Sequence, residues 1–260
     1  MPAAQAAATT VVPWNDRDAV TAAVEAGEPP AAILCEPLPA NMGLVPPDDG
    51  FIEHLRGLAD SSGALLVADE VISGFRVARG GAQELLGFAA DLTIMGKVIG
   101  GGLPAAAYGG SRELMERVAP VGDVYQAGTL SGNPLAVAAG LTTLRLLDAA
   151  AYARIGELTD RLAAGMRGAI DAAGVADRAS VASVPGLATL FMAPAPPHDF
   201  DGARACNTEA YGTLCRELLE RGVYAPPAQF EAWFVSLAHD EGAIDRTCAA
   251  LAEALPVALA

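Results

Sequence analysis

At 260 residues, 52% of them hydrophobic and 18% charged, the chain is long enough to bury one large core or two smaller ones. A formal net charge of −15 argues against a nucleic-acid partner, which calls for basic stripes. The four cysteines (Cys35, Cys206, Cys215 and Cys248) show neither CxxC nor metal-ligand spacing, which fits idle thiols in a reducing cytoplasm better than a disulfide scaffold or a metal site.

The start, "MPAAQAAATT", lacks the basic residues and long apolar core of a signal peptide. "AAILCEP" (31–37), an apolar run stopped by Pro37, predicts a buried strand. Residues 47–63 predict a helix, with Phe51, Ile52, Leu55 and Leu58 at helical spacing and Gly63 as the stop. "ALLVADEV" (64–71), "AADLTIMG" (89–96) and "LPAAAYGG" (103–110) predict three further strands. Strands alternating with helices imply an α/β fold, a mostly parallel sheet covered by helices on both faces. Lys97, Pro104 and the many glycines argue against a membrane span over 92–110.

After "GNP" (132–134) the pattern becomes helical. Asn133 reads as an N-cap and Pro134 as the first helical residue. Helices are expected to about Leu147 and from Tyr152 to Ala173, with Gly174 as the stop. A strand (186–192), a Pro-rich loop (193–201), a helix from about Arg204 to Glu220 and a final helix from Asp240 follow. The expected division is a large unit over 1–140 and a small α+β unit over 141–260.

Asp69 stands at the carboxyl end of one predicted strand, and Lys97 follows the next. Ligands of open parallel sheets collect at that edge. The plainer readings are a turn cap for Asp69 and a surface lysine for Lys97. "KVIGGG" is not a Walker loop, because Asp91 and Val98 occupy positions that need Gly and Ser or Thr. Its glycines instead suggest a backbone that passes close to something bulky. In "VYQAGTLSGNP" (124–134), Gly128 and Thr129 offer donors suited to a phosphate, although a solvated loop accounts for them equally.

Read together, five stretches resemble the class III aminotransferases of the fold-type I pyridoxal-phosphate enzymes. They are "EPLPANMGLVPPDDGF" (36–51), "LLVADEVISGFRVARGGAQ" (65–83), "DLTIMGKVIGGGLPAAAYGG" (91–110), "VYQAGTLSGNPLAVAAG" (124–140) and "FEAWFVSLAH" (230–239). "GFRVARGGAQ" and "YQAGTLSGNP" resemble the aminomutase branch in particular.

The resemblance implies pyridoxal or pyridoxamine 5'-phosphate as cofactor, joined covalently through Lys97, which also shuttles protons. It implies Asp69 paired with the pyridine nitrogen, Val71 against the ring, and Gly128 and Thr129 on the phosphate of the neighbouring subunit's cofactor. Asn41, Tyr125 and Gln126 would line the pocket, and Glu231 would stand near the substrate. The implied reaction is an internal amino exchange in a soluble homodimer, converting glutamate-1-semialdehyde to 5-aminolevulinate for tetrapyrroles. A class III transaminase with a separate amino donor, or a non-catalytic remnant, are the rival readings. The family's pattern also includes an earlier segment, with an own-subunit phosphate turn, a ring-stacking aromatic and a carboxylate-binding arginine. That difference leads to the expectation of a shortened chain with uncovered apolar faces and unpaired strand edges.

Overall fold

The computed structural model describes residues 2–260. A short exposed helix α1 (Ala3–Ala7) precedes α2 (Arg17–Glu25), which is capped by the Asp16 carboxylate accepting from Ala19 N–H at 2.8 Å. There follow β1 (Ala32–Cys35), α3 (Phe51–Ser62), β2 (Leu65–Glu70), α4 (Gly81–Leu86), β3 (Leu92–Met95) and β4 (Ala107–Gly110). The strands form one sheet in the order β1-β2-β3-β4, the first three parallel and β4 antiparallel to β3. Thus the α/β class holds, with a mixed, mostly parallel sheet.

Helix α3 begins at Phe51, four residues later than its sequence suggests. Pro46 and Pro47 and the left-handed Gly50 (φ 74°) keep the preceding chain out of helical geometry. Its apolar side packs Phe51, Ile52, Leu55 and Ala59 against Val20 of α2 and Leu66 of β2. Arg56 of α3 also reaches Asp91 at the foot of β3, at 2.7 Å. The same Asp91 oxygen accepts from Leu66 N–H at 2.7 Å, so one carboxylate ties α3, β2 and β3 together.

Two strand expectations need correction. The 31–37 segment is no buried strand: β1 is an edge with a single neighbour, and Leu34 is 62% exposed. The 103–110 segment is extended only over its last four residues, because Gly101 and Gly102 carry the turn that reverses the chain. Tyr108 on β4 is also exposed. The expected unpaired edges and uncovered apolar positions are therefore present, and the helical cover of the sheet is incomplete.

After α5 (Arg112–Met115), α6 (Pro134–Leu146) starts where expected, with the Asn133 side chain accepting from Ala136 N–H at 2.9 Å. Helix α7 (Ala149–Ala173) begins before Tyr152 because Asp148 caps it. The second sheet is antiparallel, in the order β5-β6-β7, from β5 (Ser180–Val184), β6 (Leu187–Phe191) and β7 (Trp233–Phe234). The single helix expected over 204–220 is two, α8 (Phe200–Ala205) and α9 (Thr208–Glu220). Asn207 divides them by capping the second, accepting from Ala210 N–H at 3.0 Å. With α10 (Glu241–Ala258), α7 and α9 enclose a core that includes Leu162, Met166, Leu190, Tyr211, Leu214 and Leu251.

A separate buried cluster joins the two sheets. Leu38, Leu44 and Val45 from the loop after β1 pack with Ile72, Leu187 and Phe191. Leu44 N–H donates to Thr189 Oγ1 at 3.0 Å and Gly43 N–H to the Phe230 carbonyl at 2.9 Å. All four cysteines are free thiols. No single helix among the described residues is long and apolar enough to cross a membrane.

The Asp91 tie should be visible as a pH dependence. Burial alone would raise the Asp91 carboxyl, but the hydrogen bonds from Arg56 and Leu66, together with the Arg56 charge, hold it below the usual range. A carboxyl depressed by folding contributes stability above its unfolded value, about 3.9, and that contribution fades as pH falls through the folded value. Asp91→Asn is therefore expected to lower the urea midpoint at neutral pH. Its gap to the parent should close in acid; a gap independent of pH would contradict this account.

Candidate active site

Strands β2 and β3 are adjacent and parallel, with Asp69 in register with Ile94 and Glu70 with Met95. Their carboxyl ends therefore lie side by side. Lys97 follows β3 by two residues and Val71 follows β2 by one, so both flank Asp69 at one edge of the sheet. Gly96 brings the two strand ends close: a β-carbon there would stand 3.2 Å from Val71 Cγ1. Asp69 is half-buried, and its Oδ1 accepts from Val71 N–H at 3.0 Å. The turn-cap reading is thus correct for one oxygen, while Oδ2 carries no hydrogen bond to the protein among the described residues.

Lys97 opens a 3₁₀ turn (Lys97–Gly100) in left-handed backbone, φ 44°, with its side chain exposed. For a residue other than glycine this conformation costs on the order of 1–3 kcal/mol and persists only where its surroundings enforce it. The enforcing element is α6. A β-carbon on Gly140 would stand 1.9 Å from the Ile99 carbonyl oxygen, and one on Gly101 2.5 Å from the Ala139 carbonyl oxygen. The bulky neighbour expected beside "GGG" is therefore helix backbone.

Sequence reading passed over Glu70, beside Asp69 but on the opposite face of β2. It is 1% exposed and accepts four hydrogen bonds: Ser73 Oγ (2.8 Å), Ala82 N–H (2.7 Å), Gln83 N–H (2.9 Å) and Gln83 Nε2 (3.2 Å). A buried charge is tolerated on such terms. Here it binds the 71–83 segment under the sheet and so fixes the strand end bearing Asp69. Cys35 at the end of β1 registers the crowding of acids there. Burial, and then the charges of Asp69, Glu36 and Glu70, push its thiol up to about 12.

The loop before α6 lies on the Asp69 face. Ile94, in register with Asp69, leaves the sheet on the same side, as does Tyr108. Both line a groove of about 1100 Å³ with Gln126, Gly128, Asn133 and Val137. Thr129 and Tyr125 are exposed on the same loop. Asn41 and Glu231 form a second group. Asn41 lines a groove of about 420 Å³ beside the β1 edge with Glu36 and Cys35, and Glu231 follows Phe230, whose carbonyl holds Gly43. Glu231 is solvent-exposed.

The family model for aminotransferase class III matches residues 5–253. The chain belongs to that family. It is 52% identical over 248 residues to the glutamate-1-semialdehyde 2,1-aminomutase of Syntrophobacter fumaroxidans, a match covering 95% of this chain and 57% of that protein. Among solved structures it resembles an omega-transaminase from Sphaerobacter thermophilus, with TM-score 0.90 and 32% identity over 100% of this chain and 59% of that one. It also resembles a Lys-to-Ala variant of a Pseudomonas aeruginosa PAO1 glutamate-1-semialdehyde-aminomutase in complex with PMP, with TM-score 0.86 and 28% identity, covering 96% and 57%. The chain thus spans a little under three-fifths of the length of these relatives.

A further signal lies in the counts. Of the 16 Lys and Arg residues, Lys97 is the single lysine. Arginine stays charged at any accessible pH, whereas a lysine amine can lose its proton and act as a nucleophile. A chain that uses arginine everywhere else keeps lysine at its most strained basic position. Replacement should separate the two roles. Lys97→Gly is expected to be more stable than Lys97→Ala by about 1 kcal/mol in urea denaturation, because only glycine accepts the left-handed turn freely. Equal stabilities would mean that the turn is unstrained.

Proposed function

We propose that the protein is a glutamate-1-semialdehyde 2,1-aminomutase, an isomerase supplying 5-aminolevulinate for tetrapyrrole synthesis as a cytoplasmic homodimer. The single observation that carries the reading is that the lone lysine and a half-free carboxylate stand at the carboxyl ends of adjacent parallel strands, in a chain 52% identical to such an enzyme. These residues suit pyridoxal phosphate. Lys97 is exposed and has no carboxylate within salt-bridge distance among the described residues, and Asp69 Oδ2 is open to a donor. When bound, the cofactor supplies a carbonyl that captures amines and a ring that draws electrons from the neighbouring carbon.

In this reading Lys97 holds the cofactor and then carries a proton between adjacent substrate carbons. Asp69 Oδ2 would accept from the pyridine nitrogen of the cofactor, and Val71 would bound its ring. Gly128 and Thr129 would donate to the phosphate of the neighbouring subunit's cofactor. Tyr125 and Gln126 would approach the ring from the loop before α6 and Asn41 from the groove beside β1, and Glu231 would stand near the substrate. Substrate and product are isomers, so no outside amino donor is consumed. The second subunit is supported by an uncovered apolar surface: Tyr125 is 82% exposed, Leu135 on α6 is 74% exposed, and Val137 and Leu141 are open as well. A second reading, a class III transaminase using an external donor, is favoured by the similarity to the omega-transaminase fold.

Reductive trapping provides the test. With pyridoxal phosphate and borohydride, the stable mass addition is expected on the Lys97 peptide, to vanish in Lys97→Ala, and to need at least about tenfold more cofactor in Asp69→Asn. Addition confined to the terminal amine would refute the assignment. Conversion of glutamate-1-semialdehyde without an added keto acid separates the mutase from the transaminase.

A further inference from the structure

The motif "GFRVARGGAQ" (74–83) takes no part in the proposed cofactor site, yet its last residue spans the two strands that carry Asp69 and lead to Lys97. Gln83 is half-buried on α4. Its Nε2 donates to Glu70 Oε1 of β2 at 3.2 Å and to Thr93 Oγ1 of β3 at 3.0 Å. Its Oε1 accepts from Ala90 N–H, just ahead of β3, at 2.8 Å. The Ala90 donor fixes which way round the amide sits, because the flipped amide would bring two donors together. Of the long side chains, only glutamine carries two donors and an acceptor on one tip: a glutamate could not donate, and a lysine could not accept.

Register explains why this bridge bears on the opposite face. Ala68 is in register with Thr93, and Glu70 with Met95. Asp69 and Ile94, paired between them, point the other way. Gln83 therefore joins β2 to β3 directly behind the Asp69–Ile94 pair. The backbone ladder between these strands ends at Glu70 and Met95, two residues short of Lys97. A polar network with its partners in place rigidifies the elements it joins. Here it joins the two strand ends whose side chains one ligand must reach together.

We propose that Gln83 is a positioning residue: its bridge from Glu70 to Thr93 holds the strand ends of Asp69 and Lys97 at the separation that the cofactor spans. The assignment rests on the proposed function and deepens it. Gln83 itself touches neither cofactor nor substrate, since it stands on the reverse face of the sheet.

A double-mutant cycle on cofactor capture provides the test. The readout is the pyridoxal phosphate concentration that gives half-maximal borohydride trapping on Lys97, the one lysine of the chain. Gln83→Met keeps the length of the side chain and removes its amide, and should raise that concentration at least about fivefold. In an Asp69→Asn background the same change should raise it less than about twofold, because a separation matters only when both ends are engaged. A general structural defect would act equally in both backgrounds. Acetylation of Lys97 by acetic anhydride asks only for the amine, and should proceed in Gln83→Met at the parent's rate. Thr93→Val breaks the bridge at its other end and should reproduce the capture defect, whereas Thr93→Ser keeps the hydroxyl and should stay within about twofold of the parent. This second pair decides the matter if Gln83→Met does not fold. Equal losses in the two Asp69 backgrounds, or parental capture by Thr93→Val, would overturn the assignment and leave the proposed function standing. No capture by the parent chain would instead remove the proposed function, and the assignment with it.

Discussion

The site depends on a contact between two backbones that no side chain could share. The Ile99 carbonyl occupies the space that a β-carbon on Gly140 would need, and Gly101 meets the Ala139 carbonyl in the same way. Helix α6 can therefore press directly on the turn after β3, and the pressure is what holds Lys97 in left-handed backbone. The contact also fixes the loop that precedes α6. Gln126, Gly128 and residues 130–133 share their groove with Ile94 and Tyr108 because α6 is seated on the same turn. Lys97 and the loop before α6 are thus positioned by one close approach.

Asp69 and Glu70 show how burial divides labour between neighbours of the same chemistry. Strand alternation sends them to opposite faces. Glu70 is enclosed and has four donors, so its charge is used up in holding the 71–83 segment. Asp69 spends one oxygen on its own turn and keeps the other. Only the second can serve a ligand. The sequence "ADEV" makes the pair visible but not the division, which depends on α4 beginning at Gly81 directly beneath Glu70.

Much of the fold was legible because its signals are local. The Asn133 cap, Pro134 and the alternation of apolar runs with amphipathic segments each specify structure over a few residues. What stayed hidden depends on distant partners. Nothing within "AAILCEP" distinguishes a central strand from an edge, since that is decided by which strands lie beside it. The break between α8 and α9 lay in plain view at Asn207, but a helical pattern on both sides masked it. For the site, the lysine and the carboxylate could be read as strand-end residues, whereas Glu231 and Asn41 are joined only through the Gly43–Phe230 hydrogen bond.

Charge pairing completes the physical picture. Arg56, Arg161 and Arg221 all find carboxylates, as an excess of acids makes easy. Arg76 is one of the arginines that do not; its Nε is withdrawn from solvent and the preceding backbone is pinned by the Tyr152 hydroxyl donating to the Phe75 carbonyl. A pinned cation cannot swing out to find a counter-charge, as a surface arginine does at little cost. The groove that Arg76 lines passes through Val98, next to the one lysine of the chain.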